Sequence, residues 1–204
     1  MKQLPLDFKG WGGKRKGAGR PPDQKRPGVS HLRRPEIAAR YPVHITLRVL
    51  PGVGYLRALV RIRAIEQALF EAKDRLGMRI VHYSIQGQHL HLLIEVEDGS
   101  ALTRAMQGLC IRLAKRLNSL SNRPGKLFAD RYHAHVLKTR AEVVNALQYV
   151  TRNYAHHARE NVPSDFLDPC SSARWISEAP PPEAPVMPPR TWLLRSAAKA
   201  SAGL

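Results

Sequence analysis

RIVHYSIQGQHLHLLIEV, Arg79 to Val96, is the stretch that decides how this chain folds. Two apolar runs flank a Gln-Gly-Gln turn centred on Gly87, the pattern of a β-hairpin. Side chains alternate across a strand. In the second run His89, His91, Leu93 and Glu95 therefore share one face, while Leu90, Leu92, Ile94 and Val96 take the other. The second set is a continuous apolar face for the core. The first puts two imidazoles side by side, and neighbouring imidazoles on one face can hold one divalent metal ion. An isolated His-x-His is more often a pair of solvated or hydrogen-bonded side chains, so the pair needs support from elsewhere in the chain.

Working outward, Val43, Ile45, Leu47 and Val49 alternate with His44, Thr46 and Arg48, a half-buried strand that Pro51 and Gly52 end. Helical spacing follows (Leu56, Leu59, Val60, Ile65, Leu69), with Gly77 closing that helix. Beyond the hairpin, Ser100 is the expected N-cap of a helix with Leu102, Met106, Leu109, Leu113 and Leu117 in one stripe. RYHAHVLK (Arg131–Lys138) reads as a fourth strand and Arg140 onward as a last helix. Strand, helix, two strands, helix, strand is the α+β, ferredoxin-like split βαββαβ, here with an added C-terminal helix. Three segments result: a basic, Gly- and Pro-rich arm over 1–40, a catalytic-type domain over 41–162, and a Pro-rich extended linker and tail over 163–204.

The 204 residues carry 33 Lys and Arg against 16 Asp and Glu, a formal charge of +17. A charge of that size and sign points to a polyanion, most often nucleic acid. Lys14 to Pro22, KRKGAGRPP, resembles an AT-hook, with Ala18 where the usual hook has its first Arg. That makes Lys14, Arg15, Lys16 and Arg20 candidate DNA contacts. Two cysteines, Cys110 and Cys170, exclude a disulfide framework or CxxC metal site, consistent with a reducing, cytoplasmic setting. No apolar run is long enough to cross a bilayer, and the N-terminus lacks the apolar core of a signal peptide. No membrane partner is expected.

LQYVTRNYAHH supplies what the histidine pair lacks. Tyr149 and Asn153 stand four apart, on one face of the last helix. A tyrosine is a covalent nucleophile when a metal polarises its phosphate target, and an amide oxygen one turn away can complete the metal's coordination. Tyr154 is rotated by about 140° from Tyr149 at roughly 100° per residue.

QHLHLLIEV, GKLFADRYHAHVLKT and ALQYVTRNYAHH together resemble the single-tyrosine HUH transposases, and within them the branch associated with repetitive extragenic palindromes, over about residues 41–160. The resemblance implies a metal-dependent single-strand endonuclease and strand transferase. In it Tyr149 is the nucleophile that forms a 5′-phosphotyrosine link, and His89, His91 and Asn153 are the ligands of Mg²⁺ or Mn²⁺. The implied partner is single-stranded hairpin or palindromic DNA, bound by a monomer or homodimer. His133 and His135 form a second His-hydrophobic-His pair, flanked by Arg131 and Lys138. This strand reads as a DNA-facing edge, with those two cations as candidate phosphate contacts. His156 and His157 are given no ligand role. Two other functions are compatible with the fold: a DNA-binding module that has lost its chemistry, and an HUH replication or transfer nickase.

Overall fold

In the computed structural model, the backbone is described for residues 36–157, 166–176 and 178–202, and the side chains for 36–152, 166–176 and 178–199. The AT-hook-like residues Lys14, Arg15, Lys16 and Arg20, and the side chains of Asn153, Tyr154, His156 and His157, lie outside this set.

The elements are β1 (Val43–Arg48), α1 (Leu59–Ala72), β2 (Asp74–Arg75), β3 (Met78–Ile85), β4 (His89–Val96), α2 (Gly99–Leu120), β5 (His133–Val136), α3 (Arg140–His157) and α4 (Trp192–Ala202). The sheet order is β2-β3-β4-β1-β5, and every pairing is antiparallel. With the two-residue β2 set aside, this is the strand order of the expected split βαββαβ. The apolar face of the hairpin strand lies where alternation puts it. Leu90, Leu92, Ile94 and Val96 join Ile45, Leu47, Ile65, Leu69 and the α2 stripe in the larger core cluster. Leu93 points the other way, into a second cluster with Val81, Val143, Leu147 and Val150. Helices α1 and α2 thus cover one face of the sheet, and α3 and α4 the other.

Several local boundaries differ from expectation. α1 stops at Ala72, and Gly77 belongs to the β2–β3 turn. Leu76 (φ 55°) and Gly77 (φ 75°) are its two left-handed residues, the geometry of a two-residue hairpin loop. The N-cap of α2 is Asp98, whose carboxylate accepts the Ala101 N–H at 2.7 Å. Ser100 lies inside the helix, and its hydroxyl accepts from Arg104. A capping box opens α3: the Glu142 carboxylate accepts the Thr139 N–H at 2.8 Å, and the Thr139 hydroxyl accepts the Glu142 N–H at 3.2 Å.

The largest departure is the C-terminal segment. Instead of standing away as an extended linker, its described residues wrap the domain. Asp168 forms a buried fork with Arg57, at 2.7 and 2.9 Å. The Ile85 N–H donates to Cys170, the Ser172 N–H to Tyr83 and the Met187 N–H to Ile80. Ala184 and Val186 are buried in the larger cluster, and α4 lies on α3. The reason is the open side of β3. Over residues 80–85 that strand has β4 on one side only, and the strap meets backbone groups that would otherwise be unpaired.

Candidate active site

His89 and His91 sit on β4, the middle strand of five. The register places Thr46 of β1 opposite His91, Arg48 opposite His89 and His44 opposite Leu93. On the other side of β1, His133 lies opposite Thr46 and His135 opposite His44. Directly opposed residues share a face, so five histidines from three strands gather on the α3 side. With Thr46, Gln86, Gly87, Gln88 and Tyr149 they line one cleft of about 790 Å³.

Tyr149 enters this cleft from α3. Its ring is 5.2 Å from that of His91, edge to face, and 5.9 Å from that of His44. The ring is 42% exposed, so the phenol is accessible to a large substrate. The rings of His89 and His91 stack nearly parallel, 6.3 Å apart. Thr46 Oγ1 lies 3.2 Å from His91 Nδ1, the kind of outer contact that holds a ligand imidazole in one orientation.

His44 is the residue that sequence reasoning missed. It was read as part of the polar half of an alternating strand, yet its ring is 5.4 Å from His91 and its Nε2 is buried with no hydrogen-bond partner. Burial, aided by His135 and His133, pushes its pKa down to about 4, so it is neutral at physiological pH. The signal was present in the alternation of His44 and Thr46, but only the β1–β4 register shows that this polar face meets the histidine pair. The same register revises the reading of His133 and His135. They are exposed on an edge strand, as expected, and they also line the cleft.

The donors fit a divalent ion in part. Two imidazoles share a face, a third lies beside them with an orphaned nitrogen, and α3 brings position 153 one turn beyond Tyr149. Among the described residues, no three His, Cys, Asp or Glu side chains converge closely enough to hold an ion by themselves. The pair therefore requires a further ligand, and the Asn153 side chain lies outside the described set. Arg131 and Lys138 flank β5 and are exposed. Arg131 lines a second hollow with Lys126, Phe128 and Tyr132 on the α2 side. Phe128 and Tyr132 pack against the core, and Tyr83 is fully buried, with its hydroxyl donating to Glu66. No described helix is long and apolar enough to cross a membrane.

The fold and the sequence point to one family. Residues 42–153, or 112 of 204, match the family described as "Transposase IS200 like", and the chain belongs to it. It is a transposase-family protein, of a kind that cuts and joins DNA. No curated protein matches the chain. The REP-associated tyrosine transposase, solved bound to a REP hairpin, shares the fold with a TM-score of 0.56 and 15% identity, covering 72% of this chain and 84% of that one. A putative transposase from Deinococcus radiodurans R1 is similar at a TM-score of 0.41 and 13% identity, covering 61% of this chain and 95% of that one.

Proposed function

We propose that this protein cuts and rejoins single-stranded DNA at hairpin or palindromic sites, as a member of the REP-associated branch, with Tyr149 as nucleophile. The observation that carries the reading is the shared cleft: His89, His91 and Tyr149 come from distant parts of the chain and meet there, with His91 and Tyr149 rings 5.2 Å apart. The Tyr149 oxygen attacks the scissile phosphorus and gives up its proton. The bond from phosphorus to the 3′-oxygen breaks, and that oxygen leaves as a hydroxyl. The products are a 5′-phosphotyrosine and a free 3′-end. One phosphodiester replaces another, so the step needs no ATP and can reverse to join strands.

His89 and His91, with Asn153 from α3, are the residues that would hold Mg²⁺ or Mn²⁺. A bound ion supplies charge neutralisation at the phosphate, and the two nitrogen donors favour Mn²⁺. Thr46 orients His91, and neutral His44 packs beneath the tyrosine without adding charge. Arg131 and Lys138, which flank β5, and Lys14, Arg15, Lys16 and Arg20 of the arm are the cations this reading assigns to the DNA backbone. The structurally similar REP-associated tyrosine transposase was solved bound to a REP hairpin, which supports a folded single strand as substrate. The test is a labelled hairpin with a single-stranded flank, incubated with protein and Mn²⁺ and run on a denaturing gel. A protein-sized shift that chelation abolishes supports the reading. Tight binding with no adduct on any hairpin would favour a binding-only protein.

A further inference from the structure

β4 carries a third polar side chain on the face that holds the histidines. Glu95 lies four residues beyond His91, six beyond His89, and is 6% exposed. Among the described residues its carboxylate forms no ion pair; it receives backbone N–H groups from the strap. The Arg190 N–H is shared between its two oxygens at 2.9 and 3.0 Å, and the Thr191 N–H donates to Oε1 at 2.7 Å. These are the residues just before α4 (Trp192–Ala202). A carboxylate that accepts the N–H groups leading into a helix pins the chain at its entry and lies toward the positive end of its dipole.

What α4 then does is visible in its packing. Leu194 and Ala197 are fully buried in the cluster formed by Val143, Ala146, Leu147 and Val150 of α3, with Val81 and Leu93 of the sheet beneath. Leu147 and Val150 flank Tyr149 in the chain. The nucleophile's helix is thus held between the sheet and a second helix, and Glu95 anchors that second helix to the same strand that carries His89 and His91.

We infer that Glu95 is a positioning residue for strand cleavage: by anchoring α4, it holds α3 so that Tyr149 stays in register with His89 and His91. The inference rests on Tyr149 being the nucleophile. Glu95 touches neither the tyrosine nor the DNA. It acts through two N–H bonds and one helix–helix contact, and loss of the anchor shifts a reacting oxygen rather than removing it. Misplacing a reacting group by about 1 Å costs on the order of 100-fold in rate.

The test uses the full chain with Glu95→Ala, Glu95→Gln and Leu194→Ala. Leu69→Ala in α1, on the opposite face of the sheet, serves as a destabilised control. Single-turnover adduct formation on a labelled hairpin is measured as a function of DNA concentration, alongside Tm and amide exchange over α3. The expected result for Glu95→Ala is a rate at saturating DNA lowered between about 10- and 100-fold, half-saturation within about twofold, and faster exchange at 143–150. Glu95→Gln, which keeps an oxygen acceptor, recovers part of the rate. Leu194→Ala gives the Glu95→Ala pattern from the other end of the strap, and carries the test if Glu95→Ala does not fold. Leu69→Ala loses Tm without the rate loss. An unchanged saturating rate in both Glu95→Ala and Leu194→Ala overturns the inference, as does an equal rate loss in Leu69→Ala. A wild-type protein that forms no adduct overturns the Tyr149 reading itself, a result distinct from wild-type activity that Glu95→Ala leaves intact.

Discussion

Replacing Asp168 with alanine removes the main fastening of the strap. Arg57 and Asp168 are 8% and 2% exposed at the side chain, and they form a two-bond fork at 2.7 and 2.9 Å. Arg57 Nη1 also donates to the Ile85 carbonyl at 2.8 Å, and Asp168 Oδ1 accepts the Cys170 N–H at 3.0 Å. Breaking such a pair from one side strips a buried guanidinium of its carboxylate, which costs about 3–5 kcal/mol; the lost Cys170 bond adds about 1 kcal/mol. Against a total stability of about 5–15 kcal/mol, that is enough to release the strap before the sheet unfolds. The double variant Arg57→Met/Asp168→Leu loses far less than the two single changes summed, because no unpaired charge remains. Urea titration reads this with two probes. Trp175 and Trp192 both lie in the strap, and Trp175 is half-buried under Arg174, whose guanidinium carbon is 4.1 Å from its ring centroid. Their fluorescence reports the strap, while far-ultraviolet circular dichroism reports the sheet and helices together. In Asp168→Ala the fluorescence transition moves to lower urea than the dichroism transition. A cost below about 1 kcal/mol, with coincident transitions, would refute a docked strap.

Acid should act through His82, which burial holds down to about 4 with Ser172 Oγ 3.1 Å from its Nδ1. The folded value lies below the unfolded 6.5, so the unfolded chain takes up the extra proton. Stability from this residue is complete above about pH 6.5 and is lost as pH falls toward 4, by at most about 3 kcal/mol. In urea denaturation across that range, wild type loses more stability than His82→Gln; equal losses would contradict the assignment. Truncating residues 1–40 removes 11 Lys and Arg and 3 acids, a net of 11 − 3 = +8. The dependence of hairpin affinity on salt therefore flattens while adduct formation persists, and fluorescence anisotropy at several salt concentrations checks the slope.

The strands and the core were legible in the sequence because period-two alternation is a local property. Leu90, Leu92, Ile94 and Val96 needed no partner to declare their face. The histidine pair and Tyr149 were legible as candidates for the same reason, since each is one short motif on one element. What stayed hidden depends on register or on distant contacts. His44 and Thr46 become site residues only because β1 pairs with β4 in the register that opposes Thr46 to His91. His133 and His135 enter the same cleft only because β5 adds to the outer side of β1. The strap was hidden because proline-rich composition is the same in a free linker and in a segment whose few N–H groups happen to meet an open strand. Its anchor Glu95 could be placed only on the histidine face, since nothing near it in sequence hints at Arg190 and Thr191.

The central claim is that Tyr149 attacks the DNA, and one gel tests it directly. Wild type, Tyr149→Phe and Tyr154→Phe are each incubated with a labelled single-stranded hairpin in Mn²⁺ and run under denaturing conditions, with binding measured in parallel. The account predicts a covalent adduct for wild type and Tyr154→Phe, and none for Tyr149→Phe, whose affinity for the hairpin stays near wild type because a single hydroxyl is lost. An adduct that persists in Tyr149→Phe and disappears in Tyr154→Phe would contradict it.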